Sequence, residues 1–151
     1  MGCPFVELDA LFWKPNWVPE EKTVFRQKVS EALQGDTWTV GGNYSIARDI
    51  VWQRSDTLVW LDYPFALVIG RLFRRTIKRV ITQEELWSGN RETWWNSFVS
   101  KDNLFLFAFK THFRRRRELP LQLQERAYQH LTTFRFTMPG NAERWLSELA
   151  R

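Results

Sequence analysis

Four short β-rich runs, near residues 4–8, 37–41, 57–61 and 132–137, alternate with stretches of helical periodicity, and this alternation most restricts the fold. It predicts an open parallel sheet covered by helices, an α/β architecture. Residues 19–35 open with Pro19, Glu20 and Glu21 and stop at Gly35, which predicts a helix with acids in its first turn and a glycine exit. A shorter helix over 45–54 is opened by Ser45. Pro64, after the run Leu58 to Leu61, suits the first turn of a helix reaching about Val80, because a missing N–H costs nothing there. Thr82 with Glu85 fits a capping box for a short helical piece that Ser88, Gly89 and Asn90 break. Helices over about 91–117, 120–131 and 141–150 complete the order, without an internal repeat, low-complexity segment or flexible linker.

At 151 residues and 44% hydrophobic content the chain can bury one core, so residues 1–151 are expected to form a single domain. Nine Trp and twelve Phe make it aromatic-rich. Every apolar run is nevertheless interrupted before about 18 residues, so no membrane-spanning helix is expected. The N-terminus lacks a basic region leading into an apolar stretch and a small-residue cleavage site, which argues against secretion. The single cysteine, Cys3, cannot form an internal disulfide and has no nearby His or Lys to activate it; the reading is a plain thiol in a reducing, cytoplasmic setting.

The net charge of +5 is uneven: residues 71–117 hold 12 Lys/Arg against four acids, net +8, and the rest of the chain is net −3. A local positive field of this kind suits phosphate-bearing partners, and charge alone does not choose among nucleotide, nucleic acid and membrane headgroup.

Three strand ends carry candidate chemistry. Leu8-Asp9 closes the first predicted strand, at the carboxyl edge where open α/β sheets gather ligands, and Phe12, Trp13 and Trp17 follow as rings able to stack on a base or to pack a core. Val40-Gly41-Gly42-Asn43-Tyr44 closes the second: two glycines allow close backbone approach or a sharp turn, and Asn43 and Tyr44 add polar groups at the rim. Leu61-Asp62-Tyr63-Pro64 closes the third and leads into Arg71, Arg74, Arg75, Lys78 and Arg79. Their helical spacing predicts one cationic face, opposite Phe65, Val68, Ile69, Leu72 and Ile77. That face is either a phosphate clamp or a solvated helix surface.

A fourth candidate is Arg114-Arg115-Arg116-Arg117. Consecutive helical residues point about 100° apart, so at most one or two of these arginines can serve one phosphate, and Arg115 is a candidate. The preceding segment 104–113 is apolar nearly all round and is expected to be buried or to meet a partner. His112 and His130 are far apart with no cysteine at ligand spacing, so no metal site is predicted.

Residues 4 to 17, Pro-Phe-Val-Glu-Leu-Asp-Ala-Leu-Phe-Trp-Lys-Pro-Asn-Trp, together with the later Gly42-Asn43-Tyr44, resemble the small adenylate-kinase-like P-loop proteins of the topology modulation type, and the likeness extends from Phe5 to Leu149. The resemblance implies a P-loop kinase-like parallel sheet and ATP-dependent phosphotransfer with Mg. It further implies that Asp9 orients an accepting hydroxyl or a magnesium-bound water. Arg71 and Arg75 become phosphoryl clamps on a lid-like segment of about 71–117, and Trp13, Gly42, Asn43, Tyr44, Asp62, Arg74 and Arg115 become substrate contacts. Such enzymes work mainly by positioning and charge stabilisation. Gly41 stands where the family usually has an acid, which removes that carboxylate from a magnesium shell.

The family would begin with a strand, a G-x-x-x-x-G-K-[ST] loop and a helix, and only Met1, Gly2 and Cys3 precede the likeness. The expectation is therefore an N-terminally incomplete nucleotide-kinase-like chain, inactive as it stands and without ATP or Mg of its own, whose partner is a nucleotide or another small phosphate acceptor. Nucleic acid bound by the basic 71–117 region, in a non-catalytic topology-modulating protein, is the alternative, an inert fragment is a third reading, and no membrane partner is expected. The absent strand would lie mid-sheet between the counterparts of 37–41 and 57–61, leaving either a gap there or direct pairing of those two strands.

Overall fold

The computed structural model describes residues 3–95 and 104–149. The fold is mixed α/β, with six α-helices and three separate two-stranded sheets among the described residues. The chain forms two compact units, one built from residues up to Asp56 together with Glu85–Asn90, the other from Thr57–Glu84 with the described residues from Arg91 onward.

In the first unit, β1 (Phe5–Glu7) runs parallel to β4 (Thr39–Gly41), with Phe5 opposite Thr39, Val6 opposite Val40 and Glu7 opposite Gly41. The chain passes from β1 straight into a short helix, α1 (Leu8–Phe12), and then through a small antiparallel ribbon of β2 (Trp13–Lys14) and β3 (Val18–Pro19). The helix expected over 19–35 is α2, Lys22–Ala32. It starts later because Glu21 is its cap, accepting from the N–H groups of Thr23 and Val24 at 3.0 and 3.1 Å, so the expected first-turn acids act from outside the helix. The helix expected over 45–54 likewise begins as a 3₁₀ turn and becomes α3 at Arg48–Arg54.

Phe25 and Val29 on one face of α2, and Leu33 just past its end, are fully buried with Leu8 and Ala47, and Val6, Phe12, Val40, Tyr44 and Ile50 pack around them. Burying each of these large side chains stabilises by about 1.5–3 kcal/mol. Arg26 ties α2 to α3, donating to both carboxylate oxygens of Asp49 at 2.7 and 2.8 Å and to the Ile46 carbonyl at 2.6 Å.

In the second unit, β5 (Thr57–Leu61) runs parallel to β6 (Thr132–Phe136) through five residue pairs. Phe134 and Phe136 pack on Trp145 of α6 (Pro139–Leu149), with ring centroids 4.9 and 5.5 Å apart. The other helices are α4 (Phe65–Thr82), entered through Pro64, and α5 (Leu104–Leu123). Phe65 of α4 meets Phe109 and Phe113 of α5 at 5.6 and 5.4 Å.

Four expected boundaries are corrected. Thr82 does not open a new helix: it ends α4, its hydroxyl donates to the Lys78 carbonyl, and Gln83 takes a left-handed conformation at φ 49°. The helix expected from 91 does not start there, since Arg91–Thr93 are non-helical; its stretch 96–103 lies outside the described residues. The break expected between helices near 118–120 is absent, because α5 continues through Pro120 to Leu123. Proline removes one hydrogen bond there, and because it lies in the last turn the helix still closes at Leu123; Leu119 beside it is buried. Residues 124–131, expected to be helical, are turns around a short 3₁₀ segment at Arg126–Tyr128.

The four predicted strands are present; among the described residues β4 pairs with β1 in the first unit and β5 with β6 in the second. No helix among the described residues is long and apolar enough to cross a membrane.

Candidate functional site

The second unit contains a cavity of about 430 Å³ at the carboxyl end of β5, between α4 and α5. This size falls in the range of small-molecule sites, about 300–1,000 Å³. One side is apolar, formed by Val68 and Leu72 of α4 and by Leu104, Phe107 and Ala108 of α5. The other side carries Arg71 and Arg75 from α4 and His112, Arg115 and Arg116 from α5. Asp62 is the one carboxylate among the described lining residues.

The helical repeat places these groups. Arg71 and Arg75 are four apart and share a face of α4, while Arg79, one turn further, is drawn to Glu92 at 3.2 Å and Glu84 at 3.9 Å. The predicted five-cation face is therefore divided, and Arg74 and Lys78 are exposed away from the cavity lining. On α5, two of the four consecutive arginines line the cavity, and Arg114 turns to Glu118 at 3.8 Å. The Arg71 guanidinium lies over the Tyr63 ring, 5.4 Å from its centroid.

Asp62, 2% exposed, is enclosed by two arginines. Arg116 Nε lies 2.7 Å from Oδ1, and Arg135 Nε donates to Oδ2 at 2.9 Å, with its Nη2 closer still to the same oxygen. Both carboxylate oxygens are thus occupied by protein cations. Asp62 sets Arg116 at the cavity wall, and its geometry is that of a positioning carboxylate. Arg135 also covers Trp60 at 4.4 Å, since the parallel register puts the two residues opposite each other.

His112 lines the same cavity, with Phe65 and Phe113 against its ring at 5.2 and 5.0 Å. Its Nε2 is buried without a hydrogen-bond partner among the described residues. Burial, and secondarily the Arg116 charge, hold its pKa below the ordinary histidine value.

The first unit brings together the other predicted residues. Asp9, in the first turn of α1, accepts a short hydrogen bond from the Tyr44 hydroxyl. Burial first, and this bond second, push the Tyr44 phenol well above its usual pKa. Asn43 accepts from Arg48 at 3.0 Å. Gly42 has φ 123°, where an L side chain is strained, and lies directly against Leu8. Trp13 packs edge-on to Phe12 at 4.9 Å and to Trp17 at 5.6 Å, so its ring is part of an aromatic cluster.

Sequence reasoning missed Arg116 and His112 as cavity groups, and Arg135 as a partner of Asp62. The signals were present: Arg116 is one turn beyond His112, and Arg135 alternates with Phe134 and Phe136 on a strand. Only the β5–β6 register, however, brings Arg135 to Asp62. No group of three or more His, Cys, Asp or Glu able to hold a metal occurs among the described residues. Protein-family models, curated proteins and solved structures, each searched with this chain, return no match.

Proposed function

We propose that the chain carries the acceptor side and basic helix of an adenylate-kinase-like phosphotransferase, and that the cavity beside Arg71, Arg75, Arg115 and Arg116 takes a phosphate-bearing small molecule. The strand pairing carries the reading. Parallel pairing of β1 with β4 within the first unit, and of β5 with β6 within the second, supports it, because the parallel sheet of such a kinase contains strand pairs of this kind. The Asp9–Tyr44 pair at the end of β1 and the cations at the end of β5 add support, because both lie at carboxyl ends of parallel strands. Arginines pre-set in a partly enclosed cavity supply charge stabilisation without covalent chemistry.

The 151 residues contain no G-x-x-x-x-G-K-[ST] motif, so this chain by itself lacks the convergent N–H groups and lysine that hold a triphosphate. Calorimetry tests the proposal. Nucleoside monophosphate should bind saturably and be weakened by Arg71→Ala and Arg75→Ala, and Mg-ATP should show no adenine-selective micromolar site. An oligonucleotide that binds with a steep salt dependence, while mononucleotides fail to bind, would replace the proposal with the nucleic-acid reading.

A further inference from the structure

We propose that the cavity of the second unit is a proton-linked site for an apolar or aromatic anion, in which ligand binding is accompanied by protonation of His112. The inference rests on the reading that this cavity takes a phosphate-bearing ligand, and it adds the ligand's apolar part and the coupling to pH.

The apolar wall gives the first half. A bare phosphate would leave the Leu72, Phe107 and Ala108 side of a roughly 430 Å³ space filled only by water. An anion attached to a ring or short alkyl group matches both walls at once.

His112 gives the second half. The charged groups facing it are Arg71 and Arg75 on α4, Arg115 and Arg116 on its own helix, and Asp62 at the end of β5. Phe65 and Phe113 flank the ring without charge. Asp62, itself paired with Arg116 and Arg135, favours a charged imidazole, but burial and the Arg116 charge outweigh it. Burial and the Arg116 charge thus disfavour the charged imidazole of His112, whose Nε2 is buried with no partner among the described residues. An anion entering the cavity opposes the arginine field, and that favours the charged imidazole. Its binding raises the His112 pKa, and by linkage affinity rises as pH falls, by up to about tenfold per pH unit for one proton taken up.

The experiment uses the 151-residue chain and benzenesulfonate, an aromatic anion that does not itself titrate near neutrality. Calorimetry at pH 5.5 and 8.0 in buffers of different ionisation enthalpy should give at least several-fold tighter binding at the lower pH, with uptake of up to one proton. Phenyl phosphate should bind at the same site, and Arg71→Ala should weaken both ligands. Proton NMR supplies a readout that does not depend on a variant folding, because the chain has two histidines. Saturation with benzenesulfonate should raise the titration midpoint of the His112 ring and leave that of His130 unchanged. Equal affinity at both pH values, or an unmoved His112 midpoint, overturns the proton link and leaves the phosphate reading standing. Failure of either aromatic anion to bind the folded protein, while mononucleotide still binds, overturns the apolar-anion assignment. Binding of neither anion nor mononucleotide overturns the phosphate reading itself.

Discussion

Leu8 stands so close to Gly42 that a Cβ built on the glycine would lie 2.9 Å from the leucine Cβ and 3.3 Å from its Cγ and Cδ1. Leu8 belongs to the buried core and Gly42 has φ 123°, so neither side of this contact can yield cheaply. Gly42→Ala is expected to destabilise the first unit by about 2–4 kcal/mol through backbone strain and overpacking. Urea unfolding followed by tryptophan fluorescence measures it, and a loss below about 0.5 kcal/mol would contradict the tight contact.

Asn90 closes the loop that follows α1. Its carbonyl accepts from the Trp17 N–H at 2.9 Å, and its amide donates to the Lys14 carbonyl at 2.9 Å and the Trp87 carbonyl at 2.8 Å. Because the side chain is buried, Asn90→Ala leaves several backbone groups unsatisfied and should cost about 2–3 kcal/mol. Asn90→Asp keeps the acceptor for Trp17 but loses both donors, so its urea midpoint should also fall well below that of the parent chain.

Thr76 offers the opposite sign. It is completely buried on α4, and its hydroxyl has no partner among the described residues. Valine has nearly the same shape and a similar helix propensity, so Thr76→Val is expected to stabilise by about 1 kcal/mol. A lowered thermal midpoint for this variant would indicate that the hydroxyl makes a bond that valine cannot replace.

Asp62→Asn removes the charge that holds Arg116 and Arg135. These arginines are 39% and 50% exposed, so water takes them up, and the stability loss should be about 1–2 kcal/mol, below the cost of breaking a fully buried pair. Anion binding to the cavity should weaken as well, because Arg116 loses its anchor. A variant that loses stability but binds the anion unchanged would show that Asp62 does not position the cavity wall.

Acid should act on the first unit through Glu20. Lys28 at 2.7 Å, the Glu21 N–H at 3.0 Å and Lys14 at 3.3 Å hold its carboxyl down to about 2, from an ordinary value of 4.5. A depressed carboxyl pKa stabilises the fold above the unfolded value, and that contribution is lost as pH falls through the folded one. Glu20→Gln should therefore flatten the decline in stability between about pH 4.5 and 2, as read from unfolding midpoints along a pH series.

Local pattern sufficed for the four strands and for the cores of α2, α3, α4 and α6, since each depends on periodicity and punctuation within its own segment. It failed at 82–85 and at 118–131. There Thr82 finds a carbonyl one turn back, and α5 continues through Pro120 to Leu123, and neither outcome can be read from the residue type alone. The candidate site divides in the same way. That Arg71 and Arg75 share a face, and that consecutive arginines cannot all converge, follow from the helical repeat. That Asp62 is enclosed by Arg116 and Arg135, 54 and 73 residues away, and that His112 and Arg116 line one cavity with Asp62, depend on strand register and helix packing. Those contacts link residues distant along the chain, and only the tertiary structure decides which distant residues meet.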